Sequence, residues 1–244
     1  MAYEVFADFY DTLNEDADYD ALFGVLRAQL LHCGIRDGIV ADLGCGTGEL
    51  TLRLAEAGYD MIAVDCSTEM LCILREKAAE AGHSDILLLN QDLTQLDLYG
   101  TVRAAVCTFD TLNHIGPLAQ FQKAVALAAL FLEPGCPFIF DMNTPYKHEA
   151  VLADNTFIIE TDDAVCEWNN AYDAQNMRTQ ITIAMRNDGS ELFHEKFYEY
   201  SYSYEQIETA CADAGLRIER VQDGENFGVL NPESERFLIT AIRV

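Results

Sequence analysis

Short apolar runs alternate with amphipathic segments from the start of the chain to Pro145. The runs are continuously apolar, whereas apolar residues in the segments between them recur at a helical period. The pattern predicts strands at residues 39–43, 61–64, 86–89, 104–109 and 138–141. It predicts helices at residues 18–31, 47–57, 68–81 and 118–132. Continuous apolar strands separated by helices are typical of a parallel sheet covered on both faces, so we expect a doubly wound α/β domain.

The period changes after Pro145. Between about residues 156 and 204 apolar and polar residues alternate, which is typical of antiparallel strands with one covered face. The residues predicted to share one such face are Met177, Thr179, Ile181, Ile183 and Met185. The sequence N-D-G-S at residues 187–190 is a hairpin signal that joins this strand to a partner at residues 193–201.

The end of the chain returns to the α/β pattern. A capping box beginning at Ser203 predicts a helix start. The remaining predicted elements are a helix at residues 207–214 and strands at residues 216–221 and 237–244. The antiparallel stretch therefore interrupts one α/β domain after its fifth strand. We predict a Rossmann-like seven-stranded domain at residues 1–148 and 203–244, with an inserted antiparallel β subdomain at residues 149–202.

The chain is strongly acidic, with 15 Lys and Arg against 41 Asp and Glu among 244 residues, for a net charge of −26. Such a surface repels nucleic-acid phosphates and anionic membranes, so we expect no nucleic-acid and no membrane partner. No apolar run approaches the roughly 20 residues that span a bilayer, and residues 1–20 are too acidic for a signal peptide. We expect a cytoplasmic protein that is a monomer or a homodimer.

The spacing of cysteines and histidines argues against metal chemistry. The eight cysteines form no C-x-x-C pair, and the five histidines form no H-x-x-x-H pair. Most cysteines stand inside apolar runs, where a free thiol packs as a small hydrophobic side chain. We therefore predict no disulfide framework and no metal site.

The turn after the first strand carries the clearest chemical signal, since residues 42–49 read D-L-G-C-G-T-G-E. Alternate glycines let the backbone pass close beneath a ligand, and the helix that follows offers free N–H donors. The dinucleotide fingerprint G-x-G-x-x-G fails at Glu49, where its last glycine is required, and the phosphate-binding P-loop fails because no lysine is near. Asp42 and Glu49 would also repel a polyphosphate, so a cationic cofactor suits this turn better.

This turn resembles the first motif of the class I S-adenosylmethionine-dependent methyltransferases. The resemblance extends to the ends of the next three strands, at Asp65, at Gln91 and Asp92, and at residues 109–115, which read F-D-T-L-N-H-I. It implies S-adenosylmethionine as the cofactor, with Asp65 on the ribose hydroxyls and Gln91 and Asp92 beside adenine. Residues 109–115 would line the methionine end and the substrate mouth.

Two further features resemble a small-molecule branch of this family. Tyrosines near the start cover the cofactor in that branch, and the matching pattern here is Tyr3, Phe6, Ala7, Tyr10 and Asp11, with Asp18 and Tyr19. The β-rich insertion is similar to that of glycine and sarcosine N-methyltransferases. Together these resemblances imply the cofactor-binding residues Tyr10, Asp42, Gly44, Gly46, Gly48, Asp65, Cys66, Met70, Gln91, Asp92, Leu93 and Phe109. The implied catalytic residues are His114 and Asp110.

Several of these residues also have a structural interpretation. Asp65 could cap the following helix, Asp92 could cap a turn, and Asp42 could bind loop amides instead of the cofactor ammonium group. His114 could accept a proton from the methyl acceptor, because its ordinary pKa is near neutral, or could bind loop backbone. Four tyrosines are predicted to alternate along one strand face, where packing on the sheet is favoured over an aromatic pocket: Tyr198, Tyr200, Tyr202 and Tyr204.

The leading functional hypothesis is transfer of a methyl group to a small-molecule acceptor, with a nitrogen or oxygen nucleophile, by in-line displacement. Transfer from a sulfonium leaving group needs positioning and a dry site more than acid or base groups. The [DNS]-P-P-[YFW] motif of nucleic-acid amino-methyltransferases is absent, because residues 109–112 read F-D-T-L. The alternatives are a non-catalytic sensor or scaffold that binds S-adenosylmethionine or S-adenosylhomocysteine, and an enzyme that uses a nicotinamide dinucleotide.

Overall fold

A computed structural model describes residues 10–11, 14, 17–160, 164–187 and 190–244. Tyr3, Phe6 and Ala7 of the predicted cofactor cover lie outside the described residues, as do Asp188 and Gly189 of the predicted hairpin turn.

The main sheet has seven strands, as predicted. In chain order they are β1 (Ile39–Leu43), β2 (Asp60–Asp65), β3 (Leu87–Asn90), β4 (Ala104–Cys107), β5 (Pro137–Asn143), β10 (Leu216–Asp223) and β11 (Arg236–Arg243). Their order across the sheet is β10-β11-β5-β4-β1-β2-β3. Strands β1 to β5 are parallel, and β11 runs antiparallel to both of its neighbours. The doubly wound, Rossmann-like α/β fold is therefore confirmed.

Helices cover both faces of this sheet. They are α1 (Tyr19–His32), α2 (Glu49–Glu56), α3 (Thr68–Ala81), α4 (Leu118–Phe131) and α5 (Tyr204–Asp213). Helix α3 begins at the Ser67 cap, which accepts from the Met70 amide, and ends at Gly82 in the left-handed region. The capping box predicted at Ser203 is present at the start of α5. The core is centred on the sheet, where Phe121 of α4 and Phe138 of β5 are fully buried.

Helix α2 starts two residues later than predicted. Gly48 has a φ of 87°, so it caps the helix instead of belonging to it, and the first helical residue is Glu49. A Cβ at Gly48 would lie 2.0 Å from Leu74 Cδ1, and Leu74 is fully buried. The third glycine of the turn is thus required for packing α2 against α3.

We expect Gly48→Ala to lower the free energy of unfolding by about 2–3 kcal/mol, because a left-handed residue gains a side chain and meets a buried leucine. Gly58→Ala is the matched control, since Gly58 has a φ of 95° and an added Cβ would meet nothing within 4 Å. Urea unfolding of both variants separates backbone strain from packing. Equal losses of unfolding free energy in the two variants would show that the Leu74 side chain shifts to make room for the added methyl group.

Strand β4 ends earlier than predicted, at Cys107 instead of residue 109. Phe109 and Asp110 have φ values of 54° and 50°, in a region that side chains disfavour. The Asp141 carboxylate of β5 accepts from both of their amides, at 2.9 Å and 2.7 Å, and so holds this turn in place. The turn leads into a 3-10 helix at Thr111–His114.

A separate antiparallel sheet follows β5, as predicted. Its strands, in spatial order, are β6 (Thr156–Glu160), β7 (Val165–Asp173), β8 (Arg178–Asn187) and β9 (Ser190–Tyr200). The predicted alternation holds in β8 from Thr179 to Ile183, and Met185 is buried as predicted, but Ala184 of the opposite face is buried as well. Met177 precedes the strand with a φ of 50°. The buried face packs with Met70 of helix α3. The insertion therefore packs against helix α3 of the main domain.

One interpretation of the insertion needs correction. Only Tyr198 and Tyr200 lie in β9, because Tyr202 is buried beyond its end and Tyr204 begins α5. The predicted tyrosine stripe is therefore wrong for its second half. A π-helix at Lys147–Leu152, which no periodicity predicted, spans the boundary placed after residue 148. The division into residues 1–148 with 203–244 and residues 149–202 stays a prediction.

Candidate active site

A cavity of about 490 Å³ lies at the carboxyl ends of β1 to β4. Ligands bind at this edge in open α/β sheets. Most of the predicted site residues line it: Tyr10, Gly44, Gly46, Asp65, Cys66, Met70, Gln91, Asp92, Leu93, Phe109 and His114. Thr111 and Ile115 of the predicted segment 109–115 also line it, and sequence reasoning missed three other lining residues, which are Thr94, Gly116 and Gln120. Asp42, Gly48 and Asp110 do not line the cavity, although they were predicted to belong to the site.

The glycine-rich turn forms one wall of the cavity. A Cβ at Gly44 would lie 2.3 Å from the Thr111 methyl group, so the first glycine allows β1 to approach the turn after β4. At Gly46 a Cβ would meet only the Tyr10 ring within 4 Å, at 3.9 Å. Gly46 therefore leaves the backbone open toward the cavity, which is the shape of a cradle for a ligand.

Asp65 holds this cradle from β2. Its carboxylate accepts from the Gly46 amide at 2.9 Å and from the Ser67 amide at 2.8 Å. Burial raises its pKa. Ser67, not Asp65, is the cap of helix α3, so the capping alternative for Asp65 is wrong. Asp65 is instead placed between the glycine-rich turn and the cavity.

Gln91 and Asp92 shape the turn after β3. Asp92 accepts from the Thr94 amide at 2.7 Å and caps the 3-10 helix Leu93–Gln95, which confirms the turn-capping interpretation. The Gln91 side chain bonds both backbone groups of Asp97. Since both residues also line the cavity, a capping role and a ligand-binding role are compatible here.

Asp42 and Glu49 do not reach the cavity. The Asp42 carboxylate accepts from the Thr51 hydroxyl at 2.5 Å and bonds none of the loop amides suggested for it. Its Oδ1 atom is buried without a hydrogen-bond partner in the described part of the chain, and burial raises its pKa to about 6. Glu49 forms ion pairs with Arg53 at 2.7 Å and Lys77 at 2.8 Å. The two acidic ends of the turn therefore differ, since Glu49 is paired with two cations and Asp42 has a carboxylate oxygen without a hydrogen-bond partner in the described part of the chain.

Asp11 fastens the segment that precedes α1 to the main domain. Its carboxylate accepts from the Thr47 hydroxyl at 2.6 Å and pairs with Lys77 at 2.6 Å. Tyr10, beside it, lines the cavity and packs with the buried face of the inserted sheet. That Tyr10 covers the cofactor stays a prediction.

The side chains at the mouth of the cavity come from three places in the chain. His114 Nε2 lies 3.8 Å from Asp110 Oδ2 and 4.0 Å from Glu199 Oε1 of strand β9. Burial lowers the pKa of His114, and the Asp110 charge opposes this only in part. Burial, together with the Asp110 charge, raises the pKa of Glu199 to about 8. His114 is therefore a neutral imidazole at pH 7, between two carboxyl groups.

Arg236 organises the base of this cluster. It pairs with Asp110 at 2.9 Å, Asp141 at 3.1 Å and Glu225 at 3.1 Å. Burial favours a higher pKa for Asp110, but nearby cations, Arg236 foremost, hold that pKa below its usual value. Asp110 is therefore an ionised partner of Arg236. Neither Arg236 nor Glu199 was predicted, because no local pattern marks a residue whose partners lie on distant strands.

Comparison with known proteins finds methyltransferases that are similar to this chain. A family model described as a methyltransferase domain matches residues 40–135. YqeM of Bacillus subtilis (strain 168), named as a methyltransferase, is 26% identical over 99% of this chain and 97% of its own length. A Streptomyces fradiae protein named dTDP-3-amino-3,6-dideoxy-alpha-D-glucopyranose N,N-dimethyltransferase is 25% identical over 89% of this chain and 86% of its own. A crystal structure of an S-adenosylmethionine-dependent methyltransferase from Clostridium acetobutylicum ATCC 824 has a TM-score of 0.87 at 27% identity, covering 98% of each chain.

The fold, the glycine-rich turn and these likenesses are those of class I S-adenosylmethionine-dependent methyltransferases, and residues 40–135 match the methyltransferase domain. The protein is an enzyme with S-adenosylmethionine as its methyl donor. No helix in the described ranges is both long and apolar enough to cross a membrane.

Proposed function

We propose that this methyltransferase acts on a small-molecule acceptor with a nitrogen or oxygen nucleophile, by in-line displacement. The observation that carries the proposal is the cavity of about 490 Å³ that joins the glycine-rich cradle to His114. Its volume falls in the roughly 300–1,000 Å³ range of small-ligand sites. The Streptomyces fradiae relative is named for an amino sugar nucleotide, which supports an acceptor of this size.

The residues around the cavity fit the cofactor. Gly46 leaves room for close approach, and the Asp65 carboxylate would accept from ribose hydroxyls. Gln91, Asp92 and Leu93 would surround adenine, with Cys66 and Met70 on the neighbouring wall. Tyr10 would cover the sulfonium end beside Phe109. The cofactor supplies a methyl group on a good leaving group, so the protein contributes orientation and exclusion of water.

His114 would accept the proton that the acceptor loses, because it lines the cavity and its lowered pKa leaves it neutral at pH 7. Asp110 would act by positioning, since it is bound to Arg236 and does not line the cavity.

The proposal is tested by measuring cofactor binding and turnover separately. Calorimetric titration with S-adenosylhomocysteine and with NAD should give binding of the first and none of the second. Release of labelled methyl groups against a panel of amines, alcohols and acids then identifies the acceptor class. Cofactor binding without turnover on any of them would favour a sensor or scaffold.

Asp65→Ala is expected to weaken S-adenosylhomocysteine binding by 1.5–3 kcal/mol, roughly 10- to 150-fold, because it removes a charge-assisted hydrogen bond. Asp60→Ala is the control, since Asp60 is exposed at the other end of β2. Calorimetric titration at equal protein concentration measures both. Unchanged affinity in Asp65→Ala would limit Asp65 to bonding the Gly46 and Ser67 amides.

A further inference from the structure

The segment that carries His114 lies against the last part of strand β9. The 3-10 helix Thr111–His114 is followed by Ile115 and Gly116, and His114 and these two residues all line the cavity. On the β9 side, the ring of Phe197 packs on the imidazole of His114, with 5.3 Å between the ring centroids. The position of His114 therefore depends on how this segment is attached to the inserted sheet.

Asn113, directly before His114, bridges the two sheets. It is fully buried. Its Oδ1 atom accepts from the Asn143 amide at 2.8 Å, at the end of β5 in the main sheet. Its Nδ2 atom donates to the Tyr200 carbonyl at 2.9 Å, at the end of β9 in the inserted sheet. One carboxamide thus joins the ends of two strands that belong to different sheets.

The chemistry of asparagine suits this bridge. A carboxamide donates and accepts at the same time, whereas an aspartate side chain would lack the donor and an aliphatic side chain would lack both groups. Removal of the carboxamide would take the partner from the buried Asn143 N–H group, which is costly inside a protein. The bridge therefore holds the 3-10 helix against both sheets.

Two further contacts fix the residues that follow His114. The Tyr202 hydroxyl, just beyond β9, donates to the Ile115 carbonyl. A Cβ at Gly116 would lie 2.2 Å from the Tyr200 ring, so this ring lies directly against the Gly116 backbone. The end of the inserted sheet thus holds the chain on both sides of His114.

We propose that Asn113 and Tyr202 are positioning residues for methyl transfer, which hold the segment carrying His114 between β5 and the end of the inserted sheet. The inference rests on the proposed role of His114 as the base. Neither Asn113 nor Tyr202 lines the cavity, so both act through their neighbours. Catalysis is sensitive to such positioning, because a displacement of about 1 Å at the reacting groups can cost roughly 10²-fold in rate.

NMR of the full chain saturated with S-adenosylhomocysteine tests the positioning without turnover. The imidazole signals of His114 are assigned by their loss in His114→Gln and are followed against pH. Its Nε2 atom faces the carboxyl groups of Asp110 at 3.8 Å and Glu199 at 4.0 Å, and burial lowers its pKa more than the Asp110 charge raises it. Asn113→Ala should loosen the segment and admit water, so the pKa of His114 should rise toward 6.5.

Asn170→Ala is the matched control. Asn170 is also a buried asparagine, and its side chain donates to the Asn155 carbonyl at 3.0 Å and accepts from Trp168 at 3.0 Å. Both partners lie outside residues 113–116, so the pKa of His114 should be unchanged in this variant. An unchanged pKa of His114 in folded Asn113→Ala, or an equal rise in Asn170→Ala, would overturn the proposal.

Steady-state kinetics with the acceptor found by the panel then separate positioning from folding. Asn113→Ala should lower kcat roughly 10- to 100-fold and leave the KM for S-adenosylmethionine within about threefold, because the cofactor cradle lies at the ends of β1 and β2. A loss of kcat no larger than that in Asn170→Ala would contradict the proposal.

Tyr202→Phe gives a second test that holds even where Asn113→Ala does not fold. It keeps the ring that stacks on Phe121 at 4.5 Å and removes only the hydroxyl that bonds Ile115. We expect kcat to fall about 2- to 10-fold, the scale of one hydrogen bond, with a rise in the pKa of His114. No change in either would overturn the proposal. Full activity of His114→Gln together with a raised pKa in Asn113→Ala would instead contradict the proposed base.

Discussion

His114→Gln is expected to reduce kcat roughly 10²- to 10⁴-fold, the usual contribution of a general base. Glutamine preserves the size and polarity of the imidazole but cannot accept a proton at neutral pH. In the unmodified enzyme, burial keeps the pKa of His114 below 6.5, so kcat should fall only as the pH drops through that lower value. The acidic limb of the pH profile that belongs to His114 should be absent in the variant.

Steady-state kinetics with the acceptor identified by the panel measure this effect. His32→Gln is the control, because His32 is exposed at the end of α1. S-adenosylhomocysteine affinity should be unchanged in both variants. Activity of His114→Gln within about threefold of the unmodified enzyme would make His114 a structural residue of the loop instead of a base.

The fold was predictable from sequence because local patterns determine its elements. Continuous apolar strands and amphipathic helices each leave a periodicity that survives without knowledge of partners. The left-handed conformations at Gly44, Gly46 and Gly48 follow the same logic, because only glycine adopts them cheaply. The position of the cofactor cradle was therefore encoded in one short segment.

The mouth of the cavity was not predictable in the same way. Phe109 and Asp110 adopt left-handed conformations without being glycine, because the Asp141 carboxylate from a neighbouring strand holds their amides. Glu199 reaches His114 only because the inserted sheet packs against the main domain. Such contacts depend on tertiary pairing, which one sequence does not reveal.

Arg236→Met is expected to lower the free energy of unfolding by roughly 3–5 kcal/mol, because removal of one partner leaves buried charges uncompensated. Arg236 joins the carboxylates of Asp110 and Asp141, which are otherwise close enough to repel each other. Because Asp141 also holds the turn at Phe109 and Asp110, loss of the guanidinium should loosen the floor of the cavity mouth.

The loss should depend on pH. Without Arg236 the pKa values of Asp110 and Asp141 in the folded variant rise above those of the unfolded chain. The folded variant then binds more protons than the unfolded state, so its stability falls as pH rises. Urea unfolding at pH 5 and pH 8 should therefore show a larger loss of unfolding free energy at pH 8.

The exposed Arg220 of β10 gives the control Arg220→Met. Arg236→Lys should lose less unfolding free energy than Arg236→Met but more than the control, because lysine keeps the charge and lacks the planar guanidinium that bonds several carboxylates at once. A deficit below about 1 kcal/mol in Arg236→Met, or one equal at both pH values, would show that water compensates these carboxylates and that Arg236 does not hold the cluster together.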